Sequence, residues 1–141
     1  MGKAETAKEN FCGGMNCAQA VLLAFCEDYG LSPELATRLA APLGGGLARL
    51  REVCGAVSGG ALVLGLRYGA ELGKKELYEK TQAFAKAFAE EAGSYTCREL
   101  LGLAEKASEP TPEPRTDTYY KKRPCAELVA LAAALLERDF L

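Results

Sequence analysis

Residues 54–69 read Cys54-Gly55-Ala56-Val57-Ser58-Gly59-Gly60-Ala61-Leu62-Val63-Leu64-Gly65-Leu66-Arg67-Tyr68-Gly69. The stretch is apolar almost all round, so it predicts a helix with no solvent face, central and buried. Gly55, Ala56, Gly59 and Gly60 leave room for close approach by its neighbours. The run stops at Arg67, short of the roughly 18 apolar residues of a membrane span.

Outward from that helix, apolar residues recur at helical spacing. Ala4, Ala7 and Phe11 form a short stripe that Gly13-Gly14 stops. Ala18, Val21, Leu22, Phe25, Cys26 and Tyr29 form a second, closed by Gly30. Ser32-Pro33-Glu34 opens a third helix and Pro42 ends it. Gly44-Gly45-Gly46 predicts a tight turn whose bare backbone can approach the cysteines. Between Lys74 and Ala92, Leu77, Thr81, Phe84, Ala85, Phe88 and Ala92 share one face, with a solvated Lys/Glu face opposite. Thr96–Leu103 predicts a short helix. Ser108–Arg115 is rich in proline and charge, and the segment from about 106 to 123 predicts an exposed loop. The last helix runs from Pro124 to about Asp139, with Leu128, Leu131, Ala132, Leu135 and Leu136 on one side. No β alternation competes. The expectation is one all-α domain over residues 1–141, a bundle of about six or seven helices.

The 141-residue chain is 49% hydrophobic and 26% charged, with net charge −2. That balance gives no electrostatic reason for a nucleic-acid partner, and no membrane is expected. Histidine is absent, which removes Cys-His nucleophile pairs and mixed Cys/His zinc sites. The first residues carry no apolar signal core, and their match to the loose myristoylation pattern is read as chance. A cytoplasmic setting follows as the expectation, where cysteines serve metals or redox chemistry more than permanent staples.

Four of the six cysteines fall at predicted helix starts. Cys17 follows the N-cap residue Asn16. Cys54 opens the central helix. Cys97 follows Thr96, with Glu99 at capping-box spacing. Cys125 follows Pro124. A helix N-terminus carries about half a positive charge and favours thiolate over thiol.

The motif Cys54-Gly55-Ala56-Val57-Ser58-Gly59 fits C-G-A-x-x-G, with one cysteine before it and two after. With Asn16-Cys17-Ala18-Gln19-Ala20-Val21, Gly44-Gly45-Gly46, Cys97-Arg98-Glu99-Leu100-Leu101-Gly102 and Cys125, the chain resembles the C_GCAxxG_C_C family of redox-active proteins. The resemblance runs from about Phe11 to Leu136. It implies that Cys17, Cys54, Cys97 and Cys125 are the family's four cysteines. A related domain in some multihaem cytochromes brings in an iron–sulfur site. Some members are exported, but this chain shows no export signal. It also lacks C-x-x-C-H, so no covalent haem is expected.

Two functional readings stay open. In the first, the four cysteines carry dithiol/disulfide or electron-transfer chemistry with a redox partner protein, as an oxidoreductase would. In the second they hold zinc or an iron–sulfur cluster without turnover. Four thiolates around a divalent metal leave about −2, which four helix N-termini would offset. Their separations of 37, 43 and 28 residues resemble no zinc knuckle, so either reading needs the fold to gather them. Indifferent burial of the cysteines in a helical interaction protein is a third. A homodimer is compatible with the sequence. Cys26 reads as core. Cys12 is either a resolving thiol for Cys17 or a packing residue at a helix end.

Overall fold

The structure is a computed structural model and describes residues 2–103 and 107–141. The fold is all-α. Eight α-helices stand among the described residues: α1 Lys3–Cys12, α2 Cys17–Phe25, α3 Pro33–Ala40, α4 Gly55–Tyr68, α5 Lys74–Ala92, α6 Cys97–Leu100, α7 Asp117–Lys122 and α8 Cys125–Leu135. Short 3₁₀ turns follow α2 and α3, and a π turn over Leu136–Phe140 ends the chain. Among the described residues there is no strand, only an isolated antiparallel bridge between Val53 and Thr96. None of the described helices is long and apolar enough to cross a membrane.

Local signals start these helices. Asn16 and Gln19 form a reciprocal capping box on α2, which satisfies two otherwise orphan donors. Ser32 accepts from the Leu35 amide and Pro33 occupies the first turn of α3. The helices then pack by their apolar faces. Helix α2 lies against α1, α4 and α8, and α8 also packs on α1. Phe11, Leu22, Leu64, Phe84, Phe88 and Leu136 are fully buried between them.

Helix α4 is as central as its composition predicts: Gly55, Ala56, Val57, Gly59, Gly60, Val63 and Leu64 are all buried. Its glycines set the distance to α2. A Cβ at Gly59 would fall 2.6 Å from the carbonyl oxygen of Ala18, a backbone atom that cannot swing away. Cys26 is fully buried in the same core, as expected.

Two expectations are corrected. The segment from about 106 to 123 is more than an exposed loop. Position 106 lies outside the described residues, but 117–122 form α7, capped by Thr116, whose hydroxyl accepts from the Tyr119 amide. Arg115, just before it, turns inward. Its guanidinium donates to the carbonyls of Phe11 (3.1 Å) and Met15 (2.9 Å) and lies over the rings of Phe11 and Tyr119. This clamp holds 107–123 against the bundle as a strap. The capping box expected at Thr96 is also absent: its side chain makes no cap hydrogen bond, and Ser94 instead accepts from the Thr96 amide. Backbone pairing with residues 51–54 takes over the work of fixing α6.

Candidate functional site

That pairing is the first device that gathers cysteines. The Cys54 amide donates to Tyr95 at 2.8 Å, and the Cys97 amide donates to Glu52 at 2.6 Å. Two cysteines 43 residues apart in sequence are thereby held on either side of the Val53–Thr96 bridge. The second device is the capping box of Asn16, which fixes Cys17 as the first residue of α2. The third is Pro124, which precedes Cys125 at the first position of α8. Cys54 is itself the N-cap of α4. All four cysteines sit at helix starts and all four are buried.

They converge. Cys17, Cys54, Cys97 and Cys125 line one cavity of about 290 Å³. Cys17 and Cys125 are neighbours there, and each sulfur is the main influence on the other's titration. All six cysteines are free thiols in this structure. Among the described residues no three Cys, Asp or Glu side chains stand close enough together to hold a metal ion. Cys12 is exposed and does not line the cavity. Its backbone carbonyl accepts from the Tyr120 hydroxyl at 3.2 Å.

The triple glycine does approach the site, but not as a simple turn. Residues Gly45 to Arg49 all have positive φ, between 50° and 68°, and Arg51 follows at 62°. Gly45, Gly46 and Ala48 have left-handed helical ψ values as well. This is a short left-handed coil, closed by bonds from the Arg51 amide to Gly45 and from the Glu52 amide to Gly46. L-residues resist that conformation at about 1–2 kcal/mol each, so Leu47, Ala48, Arg49 and Arg51 are strained. Gly46 has a steric reason as well: a Cβ there would lie 2.7 Å from the Cys97 Cβ.

The left-handed coil places arginines at the cavity, which the sequence reading missed. Arg49, Arg51, Arg115 and Arg123 all line it, with Glu113 the only carboxylate among the lining residues. Glu113 pairs with Arg123 and, at 3.7 Å, with Arg49. Arg51 is 5% exposed, donating from Nε to the Ser108 hydroxyl at 3.0 Å and from a terminal nitrogen to the Cys97 sulfur at 3.6 Å. The only sequence signal for this was the aromatic-basic run Tyr119–Arg123. Two of its residues, Tyr119 and Arg123, reach the cavity.

The thiols are not equivalent. Cys125 is held below its ordinary value, first by the hydrogen bond from Cys17 and then by Arg123, Arg115 and Arg51, against the opposing effect of burial. Cys17 is pushed up, because it donates that bond, is buried and faces the other three sulfurs. Burial pushes Cys54 up to about 12, although the Ala56 and Val57 amides oppose it. The expectation that helix starts favour thiolate at every position is therefore corrected: at Cys17 the interaction with Cys125 and then burial win, and at Cys54 burial wins. Cys125 is therefore the most readily ionised of these three thiols, while Cys17 and Cys54 hold their protons to higher pH.

No curated protein and no solved structure gave a match to the chain. A family model does match, over residues 15–138, and its description reads "Putative redox-active protein (C_GCAxxG_C_C)". The matched span takes in all four cavity cysteines and both segments that carry the arginines, so the chain belongs to the C_GCAxxG_C_C family.

Proposed function

We propose that this protein is a dithiol oxidoreductase in which Cys125 attacks and Cys17 resolves. The observation that supports the reading is the pair of buried helix-start thiols, Cys17 and Cys125, on one cavity edged by arginines. A thiolate is the nucleophile in thiol–disulfide exchange. Cys125 attacks one sulfur of a disulfide substrate. A mixed disulfide forms and the first substrate thiolate leaves, taking the proton that Cys17 releases. The Cys17 thiolate then attacks the Cys125 sulfur, forming the Cys17–Cys125 disulfide and expelling the second substrate thiolate. The substrate is reduced by two electrons and the protein is oxidised by two. A redox partner protein must then restore the dithiol. Cys54 and Cys97, on either side of the Val53–Thr96 bridge, supply two further thiols at the cavity, to which the disulfide can be passed.

The test is alkylation at mildly acidic pH followed by peptide mapping. Cys125 is expected to react first, and mild oxidation by a disulfide is expected to give a Cys17–Cys125 link. Equal reactivity at all four positions, no faster than free cysteine, would refute the reading. A second reading is a module holding zinc or an iron–sulfur cluster through the same four cysteines, which line one cavity; it requires the site to close around the metal, because no three of the described side chains stand within reach of one ion. Anaerobic purification with metal analysis and a visible spectrum separates the two. Stoichiometric metal that raises the melting temperature favours the module.

A further inference from the structure

The cavity has a charge imbalance that thiol exchange alone does not require. Four guanidinium groups line it against one carboxylate, Glu113. Arginine stays charged in proteins. Glu113 neutralises at most one of the four. One thiolate at the cavity would offset one more, leaving an excess of about two positive charges. Arg51 is the most exposed to this argument chemically and the least exposed to water: it is 5% accessible, and its partners are a hydroxyl and a sulfur. Among the described residues it forms no ion pair with a carboxylate. A buried charge of this kind is costly unless something anionic meets it.

The backbone points the same way. Arg49 and Arg51 reach the cavity from a coil held at positive φ, while Leu47 and Leu50 of the same coil are left exposed at 45% and 46%. The chain accepts a strained conformation in which two cations face the cavity and two leucines face water. Arg123 and Arg115 face it from the strap on the other side. At about 290 Å³ the cavity is at the small end of ligand pockets, which run from about 300 to 1,000 Å³.

We propose that the cavity selects a small disulfide bearing carboxylate groups, docked on Arg51 and Arg123 with its sulfur presented to Cys125. The inference rests on the dithiol reading and adds the substrate class to it. A carboxylate takes a paired hydrogen bond from a guanidinium fork. Docked between the coil and the strap, the acid holds the scissile S–S bond over the start of α8. The reaction is that written above: two protein sulfurs join, the substrate S–S bond breaks, and two carboxylate-bearing thiols leave. Arg51 and Arg123 are positioning residues.

Three disulfides of similar length test it at low salt: dithiodipropionate, a dianion; bis(2-hydroxyethyl) disulfide, neutral; and cystamine, a dication. Loss of free thiol in the full-length protein is followed by mass spectrometry. The dianion is expected to oxidise the protein about tenfold faster than the neutral compound, as one charge-assisted hydrogen bond would give, with cystamine slowest. Arg51→Gln is expected to collapse the order. If that variant does not fold by circular dichroism, Arg123→Gln is expected to narrow it. Binding is read separately by calorimetry with thiodipropionate, a thioether dianion that cannot exchange. It is expected to bind the unmodified protein and to lose about tenfold in affinity in either variant. Equal rates for the three disulfides, or no thioether binding, would overturn the anion selection and leave the dithiol reading standing. Oxidation by none of the three would overturn the dithiol reading and the substrate assignment with it.

Discussion

The starts of α4 and α8 place a cysteine in nearly the same way and treat it oppositely. Cys54 and Cys125 are both buried, both at a helix N-terminus and both on one cavity. Yet Cys54 is pushed up to about 12 and Cys125 is held below its ordinary value. Magnitudes explain the split. A helix terminus is worth up to about 2 kcal/mol, while full burial shifts a titration by up to about 3–5 units. At Cys54 the helix amides act nearly alone and lose. At Cys125 a thiol donor and three arginines act together and win. A helix start positions a thiol, and its neighbours decide whether the thiol is a nucleophile.

The sharpest way to break that contrast is to delete each sulfur in turn. Cys125→Ser is expected to abolish the fast alkylation phase at mildly acidic pH, a loss of at least about tenfold in overall rate. Cys54→Ser is expected to leave that phase in place. Stopped-flow labelling with a fluorogenic reagent reads both, and a fast phase that survives Cys125→Ser would reverse the assignment. The next largest effect belongs to the donor. Cys17→Ala removes a hydrogen bond to a charged sulfur, worth about 1.5–3 kcal/mol, so labelling of Cys125 at that pH is expected to slow about tenfold or more. Cys17→Ser keeps an O–H donor and is expected to recover most of the rate. If alanine and serine behave alike, the bond does not matter.

Stability should carry the same opposition across pH. In the folded state Cys54 keeps its proton up to about 12, while the unfolded chain releases it near 9.0. Between those values the unfolded state binds fewer protons, so stability falls as pH rises, by up to about 1.4 kcal/mol per unit. Cys17 is raised too and adds to the same slope. Cys125 runs the other way. Its folded value lies below 9.0, so its contribution is present above that pH and lost as pH falls through the folded value. Cys54→Ala is expected to flatten the alkaline limb of a urea-midpoint profile, and Cys125→Ala to flatten the limb below 9.0. Parallel profiles for the two variants would show that their environments do not differ.

How much of this was legible in the sequence follows from where the determinants lie. The helices were legible because each signal is local: Asn16 before Cys17, Ser32-Pro33, and the unbroken apolar run after Cys54. That Cys17, Cys54, Cys97 and Cys125 share one cavity while Cys26 lies in the core was foreshadowed by the same helix starts and the C-G-A-x-x-G motif. The arginines were not. Arg49 and Arg51 are brought to the cavity by positive φ at non-glycine residues, which no pattern of side chains announces. Arg115 sits in a proline-rich stretch that reads as loop, and its inward turn depends on carbonyls of Phe11 and Met15 about a hundred residues away. The unequal titration of the thiols was hidden for the same reason, since it depends on which sulfur meets which guanidinium across the fold.

The smallest expected effect tests whether charge or burial sets each thiol. Cys125 owes part of its lowering to Arg123, Arg115 and Arg51, and Arg123 lines the cavity with a side chain 14% exposed. Added salt shortens the screening length from about 10 Å at 0.1 M to about 3 Å at 1 M. The influence of the neighbouring Cys17 acts inside the buried site, where salt does not reach, so only the arginine share weakens. Cys125 labelling below its ordinary titration is therefore expected to slow by about two- to threefold over that range. Cys54 is governed by desolvation, which salt does not relieve, and its labelling is expected to stay level. Arg123→Gln removes the largest of the three arginine contributions and is expected to shrink the salt response of Cys125. A salt response of equal size at Cys54 and Cys125 would place the two sulfurs in one electrostatic environment and undo the distinction between the helix starts.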